Sequence, residues 1–243
     1  MLIDACLSSL CLTTEVLSSG WPGANPVPSD ARNSANIENY PYHVSVEFPE
    51  TPRVSCAGAI ISKKHVITTA NCVKYKSLDA IRIRAWYTTT RLKGGTVYEV
   101  ENVTAHEDYK FIDGWRINDT YSKLFGAGEV ASAGSPANVI GWGGNDELPQ
   151  LRVANEIRDY STCDRAYNEA HGIPSKTICA GMGACYNDPG DPIVVGGLVA
   201  GVATNHVTDC EMSFAGSGVF SEIARYRDWI DRYVEYSDCK KGK

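Results

Sequence analysis

Two carboxylates stand close together in the segment ACYNDPGDPIVV, which spans residues 184–195 of this 243-residue chain. Asp188 and Asp191 are three positions apart, and a carboxylate pair can serve as general acid and general base. Charges on a solvated loop are the more common source of such spacing. The five histidines are scattered, and no Gly-x-Ser-x-Gly motif occurs. A hydrolase built on these residues is therefore kept only as an alternative.

Nine cysteines indicate an oxidising compartment more than a metal site. Cys179 and Cys185 are six positions apart, which is wider than paired metal ligands require, and the histidines do not cluster near them. Two glycosylation sequons begin at Asn102 and Asn118 and are compatible with secretion. We therefore expect a secreted protein that holds neither a metal nor another cofactor.

The charge balance and the hydropathy narrow the range of partners. A formal net charge of -6 argues against nucleic acid, because phosphate binding needs clustered Lys and Arg. No apolar run approaches the roughly 18 residues of a transmembrane helix. Other proteins remain as the expected partners, and the oligomeric state stays open.

The elements that must position these residues are short, β-branched or aromatic runs separated by turns. They form two groups, with polar, Gly-rich residues 126–136 between them. This pattern predicts an all-β protein of two antiparallel barrels with a helix near the C-terminus. The runs are YHVSVEF, AGAIISKKHVITTA, AIRIRAWYTTT and TVYEVENVTA in the first group, and ANVIGWGG, LRVANEIRD, DPIVVGGLVAGVAT and GSGVFSEI in the second.

Helical spacing occurs at two places. In STCDRAYNEAHG, Ser161 is a candidate N-cap and Gly172 a candidate stop. The second helix is predicted in EIARYRDWIDRYVEY, with five apolar side chains on one face: Ile223, Tyr226, Ile230, Tyr233 and Val234.

The N-terminal residues lack the features of a complete secretory signal. No basic residue opens the segment, and Asp4 and Glu15 interrupt its apolar stretch. We interpret residues 1–28 as a signal remnant and pro-segment, residues 29–135 as the N-terminal barrel, and residues 136–243 as the C-terminal barrel with the terminal helix.

The run CAGAIISKKHVITTANCV resembles the trypsin-like serine proteases, in which a strand leads into a Thr-Ala-Ala-His-Cys turn. The resemblance continues through RINDTYSKL, VIGWGG, STCDRAYNEAHGIPSKTICAG, ACYNDPGDPIVV and GVFSEIARYRDWI, over residues 29–236. It implies two six-stranded antiparallel barrels. Including the run AHEDY, the sequence also resembles the mite trypsin-like proteases and the inactivated scabies mite paralogues.

The positions that match the catalytic triad carry Asn71, Asp119 and Pro189. The amide of Asn71 cannot accept the nucleophile's proton near neutral pH, so it cannot replace the family's histidine. Pro189 stands where the family has its serine. It lacks the hydroxyl, and it also lacks the backbone N–H that contributes to the oxyanion hole. The resemblance therefore implies an inactive homologue.

The matching oxyanion and pocket positions depart from the family as well. Asn187 replaces the glycine that supplies the second oxyanion donor. Gly183 stands where trypsin has its pocket aspartate. The wall of the pocket reads Thr204-Asn205-His206 in place of Ser-Trp-Gly, and His206 is expected either to face solvent or to block the groove. No residues near 29–32 resemble the freed Ile-Val-Gly-Gly terminus that activates the family.

By family position the resemblance implies three disulfides, which are Cys56–Cys72, Cys163–Cys179 and Cys185–Cys210. Cys6, Cys11 and Cys239 are left without an assigned pairing.

Three functions follow as hypotheses. The first is a secreted pseudoprotease that binds host or self proteins; the inactivated mite paralogues are associated with interference in host defence, which adds complement components to the candidate partners. The second is a decoy that holds inhibitors or substrates without cleaving them. The third is the hydrolase with relocated catalytic residues.

Overall fold

A computed structural model describes a subset of the chain, and every structural statement below concerns these residues. They are 2–5, 33–34, 40–51, 55–87, 94–107, 131–141, 152–154, 156–167, 177–180, 189–204 and 218–234.

Six strands close into an antiparallel barrel in the order β1-β5-β4-β3-β6-β7, with strands numbered along the chain. Alternating residues point inward, so Val44, Val46, Ile81 and Ile83 are buried in its core. The strands are β1 (Leu2–Ala5), β3 (His43–Glu47), β4 (Ser55–Ile60), β5 (His65–Ile67), β6 (Arg82–Tyr87) and β7 (Gly94–Thr104).

Strand β1 corrects the prediction for the N-terminus. Leu2 and Ile3, which we assigned to a signal remnant and pro-segment, are fully buried between β5 and β7 and pair with both strands. Their apolar side chains complete the barrel core, and the strand covers two edges that would otherwise be unpaired. Residues 2–5 are therefore an integral part of the first barrel.

The second sheet contains eight strands in the order β10-β11-β14-β13-β12-β8-β9-β2. In the turn between β12 and β13, Gly196 and Gly197 have φ of 58° and 84°, as a tight two-residue hairpin requires. The strands are β2 (Asn33–Ser34), β8 (Ala137–Gly141), β9 (Arg152–Ala154), β10 (Ile157–Arg158), β11 (Thr177–Ala180), β12 (Pro192–Val195), β13 (Leu198–Ala203) and β14 (Gly218–Glu222).

The all-β class and the two-sheet plan are thus confirmed. The first-barrel strands end at Thr104 and β8 begins at Ala137, and the boundary placed at residue 135 lies between them. Strand β2 departs from the predicted division, because it lies within residues 29–135 yet pairs with β9 of the second sheet.

The helices are short. They are α1 (Ala70–Val73), α2 (Tyr160–Tyr167) and α3 (Arg227–Ile230), with 3₁₀ turns at Leu78–Ala80 and Ile223–Tyr226. Helix α2 begins at Tyr160, so Ser161 lies inside its first turn and is not the N-cap. Gly172, the predicted stop, lies outside the described residues.

The C-terminal helix also differs in phase from the prediction. Ile223, Tyr226, Ile230 and Val234 are buried as expected, but Tyr233 is 45% exposed and Trp229 is buried in its place. The segment starts with a 3₁₀ turn, which has 3.0 residues per turn, and this rotates the buried face relative to a continuous α-helix.

An apolar cluster joins the two sheets to the C-terminal segment. Leu2 of β1, Ile67 of β5 and Val202 of β13 meet Trp229 and Ile230 there. Among the described residues, no helix has the length and apolar character needed to cross a membrane.

Candidate functional site

The first half of the candidate site is the turn from β5 into α1. Asn71 lies on α1 with an exposed side chain, while Cys72 beside it is buried. A disulfide joins Cys72 to Cys56 at the start of β4, with the two Cα atoms 6.1 Å apart, and this is the pairing implied by the resemblance. The disulfide fixes α1 against the barrel, so the Asn71 amide is presented at a defined place on the surface.

The second half is the turn that precedes β12. The carbonyl oxygen of Pro189 accepts a 2.8 Å hydrogen bond from the Ala57 N–H and lies 3.5 Å from Cys72 Sγ. Pro189 is partly exposed. The structure therefore places Pro189 against the residue that follows Asn71, so the base and nucleophile positions of the resemblance lie on neighbouring segments.

Gly190 allows this close approach. Its φ is +94°, and a Cβ there would overlap the Ala57 carbonyl oxygen and lie 2.5 Å from Thr68 Oγ1. Its N–H donates to the Ala203 carbonyl at 2.9 Å, and Thr68 Oγ1 donates to the Ala57 carbonyl at 2.7 Å. Only glycine adopts this backbone conformation in this space without strain.

Neither Asn71 nor Pro189 carries a basic or nucleophilic side chain. Asn71 offers an amide, and Pro189 offers neither a hydroxyl nor an N–H. A proton cannot be taken up by either group near neutral pH, and neither can attack a carbonyl carbon.

The structure assigns Asp191 a different place from the solvated loop that we predicted. Its Oδ1 lies 3.1 Å from His43 Nε2, and both side chains are 0% exposed. The expectation of a solvated charge was wrong because His43, at the start of β3, supplies a buried partner. A His–carboxylate pair closed off from solvent cannot reach a substrate, so it provides no relocated catalytic site.

Sequence reasoning missed His43 because 148 positions separate it from Asp191. One signal was present in the sequence. Asp191 stands where the family's Gly-Asp-Ser-Gly-Gly-Pro loop has its third glycine, and an added carboxylate in such a confined position requires a partner.

Thr204 is the one predicted pocket-wall position within the described residues, and it is buried at 3% exposure. Its hydroxyl donates to the Val219 carbonyl at 3.0 Å, and its own carbonyl accepts a 3.5 Å bond from Thr69 Oγ1. The hydroxyl therefore ties β13 to β14 and the carbonyl links the second sheet to the α1 turn, which are structural roles.

A serine and a histidine lie close together at the turn between β4 and β5. Ser62 Oγ is 2.6 Å from His65 Nδ1 and also accepts the Lys64 N–H at 3.2 Å. Three-residue separation and the backbone bond are typical of a side chain that stabilises its own turn. We interpret the pair as part of that turn.

Asn102 lies exposed on β7, where its Nδ2 donates to Thr104 Oγ1 at 3.3 Å. Cys179 is buried and disulfide-bonded. The side chain of its predicted partner, Cys163, is outside the described part of the structure. So are Asn118, Asp119, Gly183, Cys185, Asn187, Asn205, His206 and Cys210, and the predictions for these residues stay predictions. The described residues hold no cluster of three metal-ligating side chains.

The Trypsin family model matches residues 31–230, and the chain therefore belongs to the trypsin family. Trypsin delta and trypsin gamma of Drosophila melanogaster are each 29% identical to it in a 222-position alignment that covers 82% of this chain and 85% of the relative.

Solved structures share the fold. The scabies mite inactivated protease paralogue S-D1 superposes with a TM-score of 0.62 at 23% identity, over 84% of this chain and 98% of that one. Paralogue S-I1 gives 0.64 at 21% identity, over 82% and 97%.

Proposed function

We propose that this trypsin-family protein does not cleave proteins and acts by binding them outside the cell. The observation that carries the proposal is the junction between α1 and the turn before β12. The resemblance assigns Asn71 and Pro189 to the base and nucleophile positions, and the segments that bear them lie in contact.

The retained framework supports this interpretation. The Cys56–Cys72 disulfide, the closed first barrel and the Gly190 turn are all intact. In the serine protease subtilisin, loss of the nucleophile or the base alone lowers turnover by roughly 10⁶-fold, and the resemblance implies that both are replaced here. A scaffold that keeps its shape without its chemistry is suited to recognition.

The partners we propose are host or self proteins, with complement components as the first class to test. Two solved structures that share the fold are described as inactivated protease paralogues of the scabies mite. Secretion accords with the nine cysteines and the disulfides.

The loop after α1 is the first surface to examine. Tyr75 is 70% exposed and Leu78 is 41% exposed, and Lys74 and Lys76 flank the tyrosine. Exposed tyrosines are enriched among residues that dominate binding energy. Lys76 is held in place, with its Nζ 4.7 Å from the centre of the Phe48 ring.

Surface-binding measurements against purified complement components test the proposal. Trypsin blocked by an irreversible inhibitor serves as the control for the fold. We expect saturable binding to this chain alone, weakened at least about tenfold by Tyr75→Ala if the loop forms part of the interface. Equal binding to blocked trypsin, or no saturable binding to any component, would count against the complement class.

The decoy function predicts a different result. A decoy would compete with active trypsin for a protein protease inhibitor, whereas a protein that binds through the Tyr75 surface would not. A competition assay with a trypsin inhibitor therefore separates the two functions.

A further inference from the structure

His43 and Asp191 form a fully buried polar contact between the two sheets. His43 opens β3 in the first barrel, and Asp191 directly precedes β12 in the second sheet. Nε2 and Oδ1 are 3.1 Å apart, and neither side chain is exposed. Polar and ionisable groups are costly to bury without partners, and this contact supplies a partner to each side chain across the junction.

The surrounding backbone is shaped around the carboxylate. Gly141 ends β8, and a Cβ at that position would overlap the Asp191 carboxylate. The space that holds Oδ2 is thus the space that any side chain at residue 141 would need. Three separate elements, β3, β8 and the turn before β12, together form the setting of the pair.

Backbone hydrogen bonds fix the same turn from two sides. The Ala57 N–H of β4 donates to the Pro189 carbonyl at 2.8 Å, which joins the turn to the first barrel. The Ala203 N–H of β13 donates to the Asp191 carbonyl at 2.8 Å, which joins it to the second sheet. The His43–Asp191 contact lies in this same junction and crosses it through side chains.

We propose that the His43–Asp191 pair locks the turn at residues 189–191 between the two sheets and holds the sheets in register with each other. His43 and Asp191 are positioning residues. Separation of the two sheets would break the Nε2–Oδ1 contact, because His43 lies in the first barrel and Asp191 precedes β12 of the second sheet. The lock keeps the former catalytic turn as a fixed part of the surface.

Amide hydrogen exchange followed by NMR tests this lock at individual residues. In His43→Gln and in Asp191→Asn, we expect the Ala57, Gly190 and Ala203 amides to exchange roughly tenfold to a hundredfold faster. Amides at the β3–β6 ladder, such as those of Val44 and Ile83, should change less. The increase in the double variant should be smaller than the sum of the two single increases, because both changes break the same His43–Asp191 contact.

Asp231→Asn is the matched control. It removes the charge from an exposed carboxylate that accepts a 2.7 Å bond from Arg227, four residues earlier in the C-terminal segment, and it should leave the three amides unchanged. Gly141→Ala provides a second route, since the added methyl group displaces the carboxylate without altering either polar residue; it should accelerate the same amides.

Three results would overturn the proposal. The first is unchanged exchange at Ala57 and Ala203 in both single variants. The second is an equal increase at all core amides, which would show a general loss of stability. The third is full additivity in the double variant. If a single variant does not fold, the test uses Gly141→Ala. Unchanged exchange rates of the Ala57 and Ala203 amides in that variant would also overturn the proposal.

Discussion

Pro189 combines several chemical changes in one side chain. The pyrrolidine ring removes a hydroxyl and an N–H, yet its carbonyl keeps the bond to Ala57 that seats the turn against β4. The following residues, Gly190 and Asp191, keep the turn closed through backbone bonds to Ala203. The turn therefore keeps its backbone hydrogen bonds with a proline at residue 189, which has neither a hydroxyl nor an N–H.

Gly190→Ala should destabilise the protein far more than Gly134→Ala. Both glycines have positive φ, 94° and 82°, but a Cβ at Gly190 overlaps the Ala57 carbonyl whereas none of the described atoms lies within 4 Å of one at Gly134. We expect the difference in the free energy of unfolding to reach about 2 kcal/mol or more, measured by urea denaturation. An equal decrease in the free energy of unfolding of the two variants would show that the positive φ alone, and not the overlap with Ala57, causes the destabilisation.

The polar residues show where sequence reasoning succeeds and where it stops. The placement of Asn71 near Pro189 follows from local motifs on either side of one junction. The partner of Asp191 could not be predicted in this way, because its identity depends on a contact across 148 positions and on the space left by Gly141. Local patterns carry no information about such packing.

At the scale of elements, β1 is the main departure from expectation. It lies outside residues 31–230, which match the family, and yet it closes the first barrel. From the sequence, residues 1–28 were interpreted as a signal remnant and pro-segment even though Asp4 interrupts the apolar stretch. Pairing with β5 and β7 is a long-range property, and the alternation within four residues is too short to reveal it.

Ile3→Ala should lower the free energy of unfolding by about 2–5 kcal/mol, because Ile3 is fully buried in the barrel core. Leu78→Ala, at a side chain that is 41% exposed, is the matched control and should change it by about 0.5 kcal/mol or less. Thermal or urea unfolding measures both. Similar small effects in the two variants would contradict the assignment of β1 to the barrel.

Glu107 connects the end of β7 to the C-terminal segment. Its carboxylate accepts bonds from Trp229 Nε1 at 2.8 Å and from Arg232 at 3.1 Å. A hydrogen bond from its own backbone N–H, together with the Arg232 and Trp229 donors and the nearby His106, holds the pKa of Glu107 below its usual value of 4.5.

The depressed pKa of Glu107 determines the direction of a pH effect. The folded state binds this proton less tightly than the unfolded state, so the ionised carboxylate stabilises the fold above pH 4.5. That stabilisation is lost as the pH falls through the lower, folded-state pKa. At neutral pH the wild type should therefore have a higher free energy of unfolding than Glu107→Gln. The difference between the two, measured by urea titration, should become smaller below pH 4.5. A gap that is constant over this range would contradict the role of the charge.

At the scale of the whole molecule, the strand pattern predicted two β-sheets because alternation is repeated over many runs. Tyr233 shows the limit, since a single 3₁₀ turn changes which face of the last segment is buried. The proposed location outside the cell can be tested on the intact protein through N-linked glycosylation, a modification made in the secretory pathway.

Asn102 should carry an N-linked glycan when the chain passes through a eukaryotic secretory pathway. It is exposed on the outside of the barrel and begins an Asn-Val-Thr sequon. Asn102→Gln and Thr104→Ala should each remove one enzymatically cleavable increment of mass, whereas Thr104→Ser should keep it. An unmodified Asn102 in secreted protein would contradict this prediction.

The most direct test of the central claim is a combined labelling and turnover assay on the purified chain. A serine-reactive phosphonate probe and a broad peptide library are applied to wild type and to Pro189→Ser, with trypsin as the positive control. We predict no labelling and no cleavage by wild type, and no cleavage by Pro189→Ser, because Asn71 cannot act as the base. Cleavage that co-purifies with the wild-type chain and is abolished by a substitution within it would contradict the account.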